Sequence, residues 1–208
     1  TLKEVAKEII KILKKEYPDA KTELKYSNPF ELLIATILSA QAKDTTINKI
    51  TPILFKKYPT PQKLANANIK EVEEIIKPTG FYKMKAKNII ETAKILVEKF
   101  DGSVPDNMQD LLKLKGVARK TANVVLSNAF NKSEGIVVDT HVKRVSYRIG
   151  LTDNNDPLKV EQDLMKIFNR KDWAFISNAL VLHGRYICEA KKPKCDKCKI
   201  SDFCKKRI

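Results

Sequence analysis

Apolar residues recur at helical spacing along most of the chain, and this repetition restricts it to a helical fold. In the first segment, apolar side chains return every three or four residues from Leu2 to Leu13. The run Phe30–Leu38 is apolar nearly all round, as expected of a central buried helix. Only Ile136–Val138 resembles a strand, and three residues do not make a sheet. We therefore predict an all-α protein with about ten helices.

The ends of several helices can also be predicted from the sequence. Five segments begin with side chains that cap a first helical turn, and three of these are followed by proline. They are Asn28–Pro29, Thr60–Pro61, residues 68–71, residues 106–109 and Asp156–Pro157. Glycines are expected to end helices at positions 80, 102 and 150. The loop 131–135 is the best candidate for a crossing between domains.

The charge of the chain indicates the class of its partner. Among 208 residues, forty Lys and Arg face twenty-five acidic residues, giving a formal net charge of +15. Such an imbalance attracts polyanions, with nucleic acid the leading candidate, although a basic solvated surface is the alternative. No apolar run is long enough to span a bilayer, and no signal-peptide pattern opens the sequence. We expect a monomer without membrane contact, in the cytoplasm and, in a prokaryote, at the nucleoid.

Lys120, in the block 114–126, is the most informative single residue. The leucines within 111–114 predict a short helix that turns at Gly116 and leads into a second helix with Lys120 in its first turn. Helix N-termini bind phosphate through unpaired N–H groups, and their partial positive charge disfavours a nearby ammonium. The block therefore offers a grip on a nucleic-acid backbone and a lysine biased toward its nucleophilic form. A solvated helix lysine is the alternative interpretation.

All four cysteines lie close together near the end of the sequence, with the spacing C-x6-C-x2-C-x5-C. They are Cys188, Cys195, Cys198 and Cys204. Four thiolates in one loop can enclose either a tetrahedral zinc ion or a 4Fe–4S cluster, and the wide outer arms suit the larger object. The first arm carries Lys191, Lys192 and Lys194. A metal-stapled loop could hold these lysines against phosphates, whereas a charged terminal tail is the simpler interpretation.

Several of these motifs occur together in one known protein family. The block 114–125 resembles the helix-hairpin-helix of the endonuclease III family. Leu38–Gln41, Val138–Val142 and His183–Tyr186 also resemble motifs of that family, and the cysteine spacing is similar to its 4Fe–4S loop. The resemblance runs from about Thr22 through Cys204, essentially the whole chain.

The resemblance implies both a fold and an activity. Members of the family are bifunctional DNA glycosylase/AP lyases that remove oxidised pyrimidines from duplex DNA. The implied fold has two all-α lobes with a DNA cleft between them. Residues 22–132 would form a six-helix barrel containing the helix-hairpin-helix, and residues 1–21 with 133–208 would form an iron–sulfur cluster domain. The implied partner is double-stranded DNA with damaged bases or abasic sites, and the implied cofactor is a 4Fe–4S cluster on the four cysteines.

The resemblance also assigns catalytic roles. Lys120 matches the family nucleophile, whose amine attacks C1′ of the deoxyribose and forms a Schiff base that permits β-elimination on the 3′ side. Asp139 matches the catalytic aspartate, which stabilises the oxocarbenium-like sugar and assists proton transfer. From the residues alone, an N-cap of the helix that follows is the favoured role of Asp139, and the resemblance reverses that preference. Both roles are compatible.

The remaining site residues would contact DNA. Gln41 matches the residue that fills the gap left by the extruded base, and His141 is a candidate phosphate or cleft contact. In the hairpin, Gly116 and Ala118 would approach the phosphates, and Ala118 stands where the family usually has a second glycine. Alanine should preserve the fold, but its methyl group could crowd the closest approach. Lys115 stands where proline is common and adds local charge.

Two other functions are compatible with parts of the sequence. One is a monofunctional mismatch glycosylase of the same superfamily, which would generally lack a lysine at position 120. The other is a DNA-binding module without enzymatic activity, in which zinc staples the tail. Metal content and lyase activity distinguish these from the first interpretation.

Overall fold

The computed structural model describes the whole chain, Thr1–Ile208, as a helical protein without strands. Three short 3-10 helices lie at Lys77–Thr79, Arg170–Asp172 and Ser201–Phe203. The α-helices are α1 Leu2–Glu16, α2 Pro29–Leu38, α3 Asp44–Lys57, α4 Pro61–Ala65, α5 Ile69–Ile76, α6 Tyr82–Phe100, α7 Met108–Leu111, α8 Arg119–Ala129, α9 Thr140–Ile149, α10 Pro157–Ile167 and α11 Trp173–Tyr186. The all-α prediction is confirmed, and Ile136–Val138 is buried chain outside any strand.

The capping residues behave as their side-chain chemistry predicts. Each accepts a hydrogen bond from a first-turn N–H of the helix it precedes, which satisfies one of the donors that the helix cannot pair internally. These caps are Asn28, Thr60, Asn68, Asn107 and Asp156. The predicted stops are also confirmed, since Gly80 and Gly150 cap helix ends and Gly102 follows the cap of α6.

The chain divides into two compact units. The middle unit comprises residues 22–132, and the terminal unit comprises residues 1–21 and 133–208. The second boundary lies in the loop 131–135. No helix is both long enough and apolar enough to cross a membrane.

Helix α2 lies at the centre of the middle unit. Every residue from Leu32 to Leu38 is buried, because the helix is apolar on all sides and its neighbours α3, α6 and α8 cover it. Burial on this scale fixes the position of the helix and therefore of the turn that follows it, which contains Gln41.

The terminal unit has its own core. Helix α1 contributes Ala6, Ile9 and Leu13, whose helical spacing places them on one buried face. Helices α9 and α11 pack closely at Gly184, where an added Cβ would lie 2.8 Å from the Cβ of His141. Only glycine allows these two helices to approach so closely, and both lead into segments of the candidate site.

Candidate active site and cysteine loop

The hairpin between α7 and α8 turns at Gly116, which has a φ of +75°. A Cβ at this position would lie 3.0 Å from Asn88 Nδ2 and 3.2 Å from Ile37 Cγ2. Thr92 holds the turn from α6 by donating from Oγ1 to the carbonyl of Lys115 at 2.9 Å. The turn therefore needs glycine both for its backbone angle and for its close packing on α2 and α6.

Helix α8 begins at the hairpin without a side-chain cap. Its N-cap is Ala118, whose φ of −96° and ψ of 176° are extended and free of strain for any residue. Alanine at this position therefore leaves the backbone unstrained. No acidic residue occupies the first turn of α8, so its N-terminal positive field is not offset there.

Lys120 lies in the first turn of α8 and is exposed. The backbone of this turn is rigidly placed, because Val117 and Ala122 on either side of Lys120 are buried in the core. An exposed amine on a fixed helix start can approach a sugar of a bound nucleic acid while the phosphates contact the helix N-terminus.

Gln41 and Phe81 are two of the four exposed non-glycine residues of the middle unit that have left-handed backbone angles. Gln41 has a φ of +53° and Phe81 a φ of +48°, a conformation that non-glycine residues rarely adopt. Gln41 follows α2 as predicted, and Phe81 precedes α6 with 62% of its surface exposed. Phe81 has no signal in the sequence, because an aromatic residue after a glycine does not by itself indicate exposure.

Asp139 caps α9 in the terminal unit. Its carboxylate accepts a hydrogen bond from the Val142 N–H at 2.8 Å, and its backbone is extended. This contact confirms the predicted N-cap role. The carboxylate remains partly exposed, so the cap leaves it accessible to solvent and ligand.

His141, in the first turn of α9, is held by Arg144 of the same helix. The Arg144 guanidinium donates to His141 Nδ1 at 3.3 Å and to the carbonyl of Gly184 at 2.7 Å. Burial lowers the pKa of His141, which favours its neutral form at pH 7. Arg144 also donates to the carbonyl of Cys188 at 3.0 Å, so the same side chain links His141 to the cysteine loop.

A second arginine of α9 anchors the start of the cysteine loop. Arg148 is 9% exposed and donates to the carbonyls of Glu189 at 2.8 Å and Ala190 at 2.9 Å. Its third contact is with Cys188 Sγ at 3.5 Å. Neither arginine was singled out in the sequence, where their spacing of four residues was the only available signal.

The four cysteines line one small cavity of the terminal unit, together with Arg148 and His183. Burial raises the pKa of the Cys198 and Cys204 thiols, and the neighbouring cysteines add to that rise. The Lys206 N–H donates to Cys204 Sγ at 3.3 Å, a hydrogen bond that favours a sulfur carrying negative charge.

His183 lines the same cavity and is itself buried. It is 4% exposed, and its ring nitrogens lie 3.3 Å from the Tyr17 hydroxyl and 3.5 Å from Cys198 Sγ. Burial lowers the pKa of His183 to about 4. His183 is therefore neutral at pH 7 and contributes packing and hydrogen bonding to the cysteine loop.

The three lysines of the first arm differ in their surroundings. Lys191 and Lys192 are exposed. The ammonium of Lys194 instead donates to the carbonyl of Tyr186 at 2.9 Å and forms a salt bridge with Glu189. Lys194 thus braces the loop, while the other two present their charges to solvent.

Comparison with known proteins identifies the family. Residues 34–170 match the model of the HhH-GPD superfamily of base excision DNA repair proteins. The chain is 51% identical to endonuclease III of Synechocystis sp. over 202 residues, which cover 97% of this chain and 92% of that protein. It is 43% identical to endonuclease III of Escherichia coli over 197 residues, covering 95% and 93% of the two chains.

A solved structure agrees over the same length. It is a trapped covalent intermediate of endonuclease III with DNA, and it matches with a TM-score of 0.92 at 42% identity, covering 98% of this chain and 96% of that one. The hairpin, the capped aspartate and the cysteine loop thus occur in a chain that is similar to these proteins over nearly its whole length. The chain belongs to the HhH-GPD superfamily and, within it, to the endonuclease III family of DNA glycosylase/AP lyases.

Proposed function

We propose that this base excision repair glycosylase removes oxidised pyrimidines from double-stranded DNA and uses Lys120 to cut the strand at the resulting abasic site. The observation that carries the assignment of Lys120 is its place in the first turn of α8, exposed and directly after the hairpin. A lysine is needed there because only an amine can form the imine that the lyase step requires. The covalent DNA complex of the similar structure supports this chemistry.

The proposed reaction has two stages. The neutral amine of Lys120 forms a bond to C1′ as the bond from C1′ to the base nitrogen breaks, and the base leaves with a proton. Opening of the sugar ring then gives a protonated imine, which acidifies C2′. Loss of a C2′ proton expels the 3′ phosphate, so the strand breaks on that side. The amine is released by hydrolysis of the imine.

Asp139 would act electrostatically in the first stage. Its hydrogen bond to the Val142 N–H holds the carboxylate in one orientation at the N-terminus of α9. A fixed carboxylate stabilises the positive charge that develops on the sugar as the base departs. It can also receive and return protons during imine formation.

DNA would be held by groups of several kinds. The hairpin supplies backbone N–H groups around Gly116 and Ala118 for phosphate, and the net charge of +15 supplies non-specific attraction. Gln41 would occupy the space left by the extruded base. His141, Lys191 and Lys192 are the proposed contacts of the terminal unit, with Lys194 supporting their loop. The chain would act as a monomer on chromosomal DNA, at the nucleoid of the cytoplasm.

We assign a 4Fe–4S cluster to the four cysteines. Their common cavity, the long arms of their spacing and the N–H donors directed at two of the sulfurs all fit such a group. When bound, the cluster would supply structural cross-linking of the loop 188–204. Arg148 and Arg144 would hold the start of that loop against α9.

A panel of duplexes, each with one lesion, tests the substrate class. We expect strand cleavage without alkali on thymine glycol, at least about ten times faster than on duplexes with an A·G or G·T mismatch. The measurement is single-turnover cleavage resolved on a denaturing gel. Base release that gives strand breaks only after alkali would contradict the lyase assignment, and a preference for mismatches would contradict the lesion class.

Metal analysis of the purified holoprotein tests the cofactor. We expect iron and acid-labile sulfide in equal amounts, roughly four of each per chain, and a brown colour. Exchange of Cys195 for serine should lower the iron content, whereas exchange of Ser201 in the same loop for alanine should not. A colourless protein with one zinc ion per chain would overturn the assignment.

A further inference from the structure

Lys85 is a buried lysine in the middle unit for which the proposed reaction has no direct use. It lies near the start of α6 and is only 2% exposed, although lysine is rarely buried unless it is paired. Its Nζ donates to the carbonyl of Leu38 at 2.8 Å and to the carbonyl of Thr79 at 2.8 Å. Two main-chain carbonyls therefore receive the ammonium.

Both carbonyls come from helix ends. Leu38 is the last residue of α2, and Thr79 is the last residue of the 3-10 helix before α6. Carbonyls at a helix C-terminus lack partners within the helix and carry partial negative charge, so an ammonium between them is stabilised electrostatically. Burial of the ammonium lowers the pKa of Lys85.

Each carbonyl lies two or three residues before a non-glycine residue with left-handed backbone angles. Gln41 is three residues after Leu38, and Phe81 is two residues after Thr79. Left-handed angles at non-glycine residues cost free energy and persist only where the surrounding structure imposes them. The Nζ atom of Lys85 thus hydrogen bonds to the start of both turns. Leu38 and Lys85 are 47 residues apart in the sequence.

We propose that Lys85 is a positioning residue that fixes the turns of Gln41 and Phe81 relative to each other, so that both side chains enter the duplex together when the damaged nucleotide leaves the stack. This inference rests on the proposed function. An amide can hydrogen bond to exposed base edges, and an exposed aromatic ring can insert between base steps. If the two turns moved independently, Gln41 and Phe81 would not contact the duplex at the same time. The DNA with its damaged nucleotide out of the stack would then be stabilised by only one of them.

The test compares Lys85→Met, which keeps the length of the side chain, with Lys85→Gln, which keeps an N–H donor. Lys94→Met is the matched control, because it removes an exposed lysine from the same helix. Two activities are measured on the holoprotein: base release from a thymine glycol duplex, and cleavage of a preformed abasic site in single-stranded DNA, where no base pair must open. A 2-aminopurine beside the lesion reports unstacking by fluorescence.

We expect Lys85→Met to slow base release from the duplex on the order of 100-fold, since small misplacements have effects of that size. Its 2-aminopurine signal should fall in parallel, whereas single-strand cleavage should stay within about twofold of wild type. Lys85→Gln should recover part of the loss, and Lys94→Met should match wild type.

Two results would overturn the inference. One is wild-type unstacking and base release in Lys85→Met. The other is an equal loss of both activities in Lys85→Gln with a normal melting curve, which would indicate an effect on the lyase chemistry common to both assays rather than on unstacking. If Lys85→Met fails to fold, the comparison of Lys85→Gln with Lys94→Met decides the question. Inactivity of the wild-type protein on the duplex would instead count against the proposed function itself.

Discussion

Replacing Lys120 by alanine is expected to abolish the covalent complex that borohydride traps between the protein and a duplex containing thymine glycol. Borohydride reduces an imine, and alanine cannot form one. Strand cleavage should fall by about 10³-fold or more, because removal of a covalent nucleophile leaves only binding and electrostatic effects. Trapping is measured by the shift of labelled DNA on a denaturing gel, and cleavage by single-turnover kinetics.

The hairpin supplies a matched control for this experiment. Lys115→Ala removes an exposed lysine from the turn of the same hairpin, where only the backbone carbonyl is engaged by Thr92. It should retain the trapped complex, with at most weaker binding of DNA. Trapping that persists in Lys120→Ala and disappears in another lysine variant would transfer the nucleophile to that residue.

The helical architecture could be predicted largely from local rules. Spacing of apolar residues located the helices, and short polar side chains such as Asn28 and Asp156 marked their starts, because a cap acts on backbone groups two or three residues away. The positions of Lys120 and Asp139 could be predicted for the same reason. Their positions at helix starts follow from their immediate neighbours in the sequence.

The supports of the site could not be predicted in this way. Arg148 acts on carbonyls more than 40 residues further along the chain, and Lys85 acts on one 47 residues earlier. Such contacts depend on how helices pack, and a lysine or arginine on a helix usually lies in solvent. Phe81 shows the opposite difficulty, since an aromatic side chain is ordinarily expected inside, and only the tertiary structure leaves it exposed.

Two substitutions of Asp139 should separate its structural role from its catalytic one. Asparagine caps a helix about as well as aspartate, so Asp139→Asn should retain the hydrogen bond to the Val142 N–H and change the free energy of unfolding by less than about 1 kcal/mol. Asp139→Ala removes the acceptor and should cost about 1 kcal/mol. Stability is measured by denaturant unfolding of the holoproteins.

The rates should follow a different order from the stabilities. Both variants lose the negative charge and the proton acceptor, so both should slow base release by about 10²- to 10⁴-fold on a thymine glycol duplex. Because Asp139→Asn keeps its cap, its slow rate cannot be ascribed to an unfolded α9. If Asp139 were only a cap, Asp139→Asn would release the base at the wild-type rate and only Asp139→Ala would be impaired. A catalytic role for the carboxylate therefore requires that Asp139→Asn keep nearly wild-type stability and still release the base slowly.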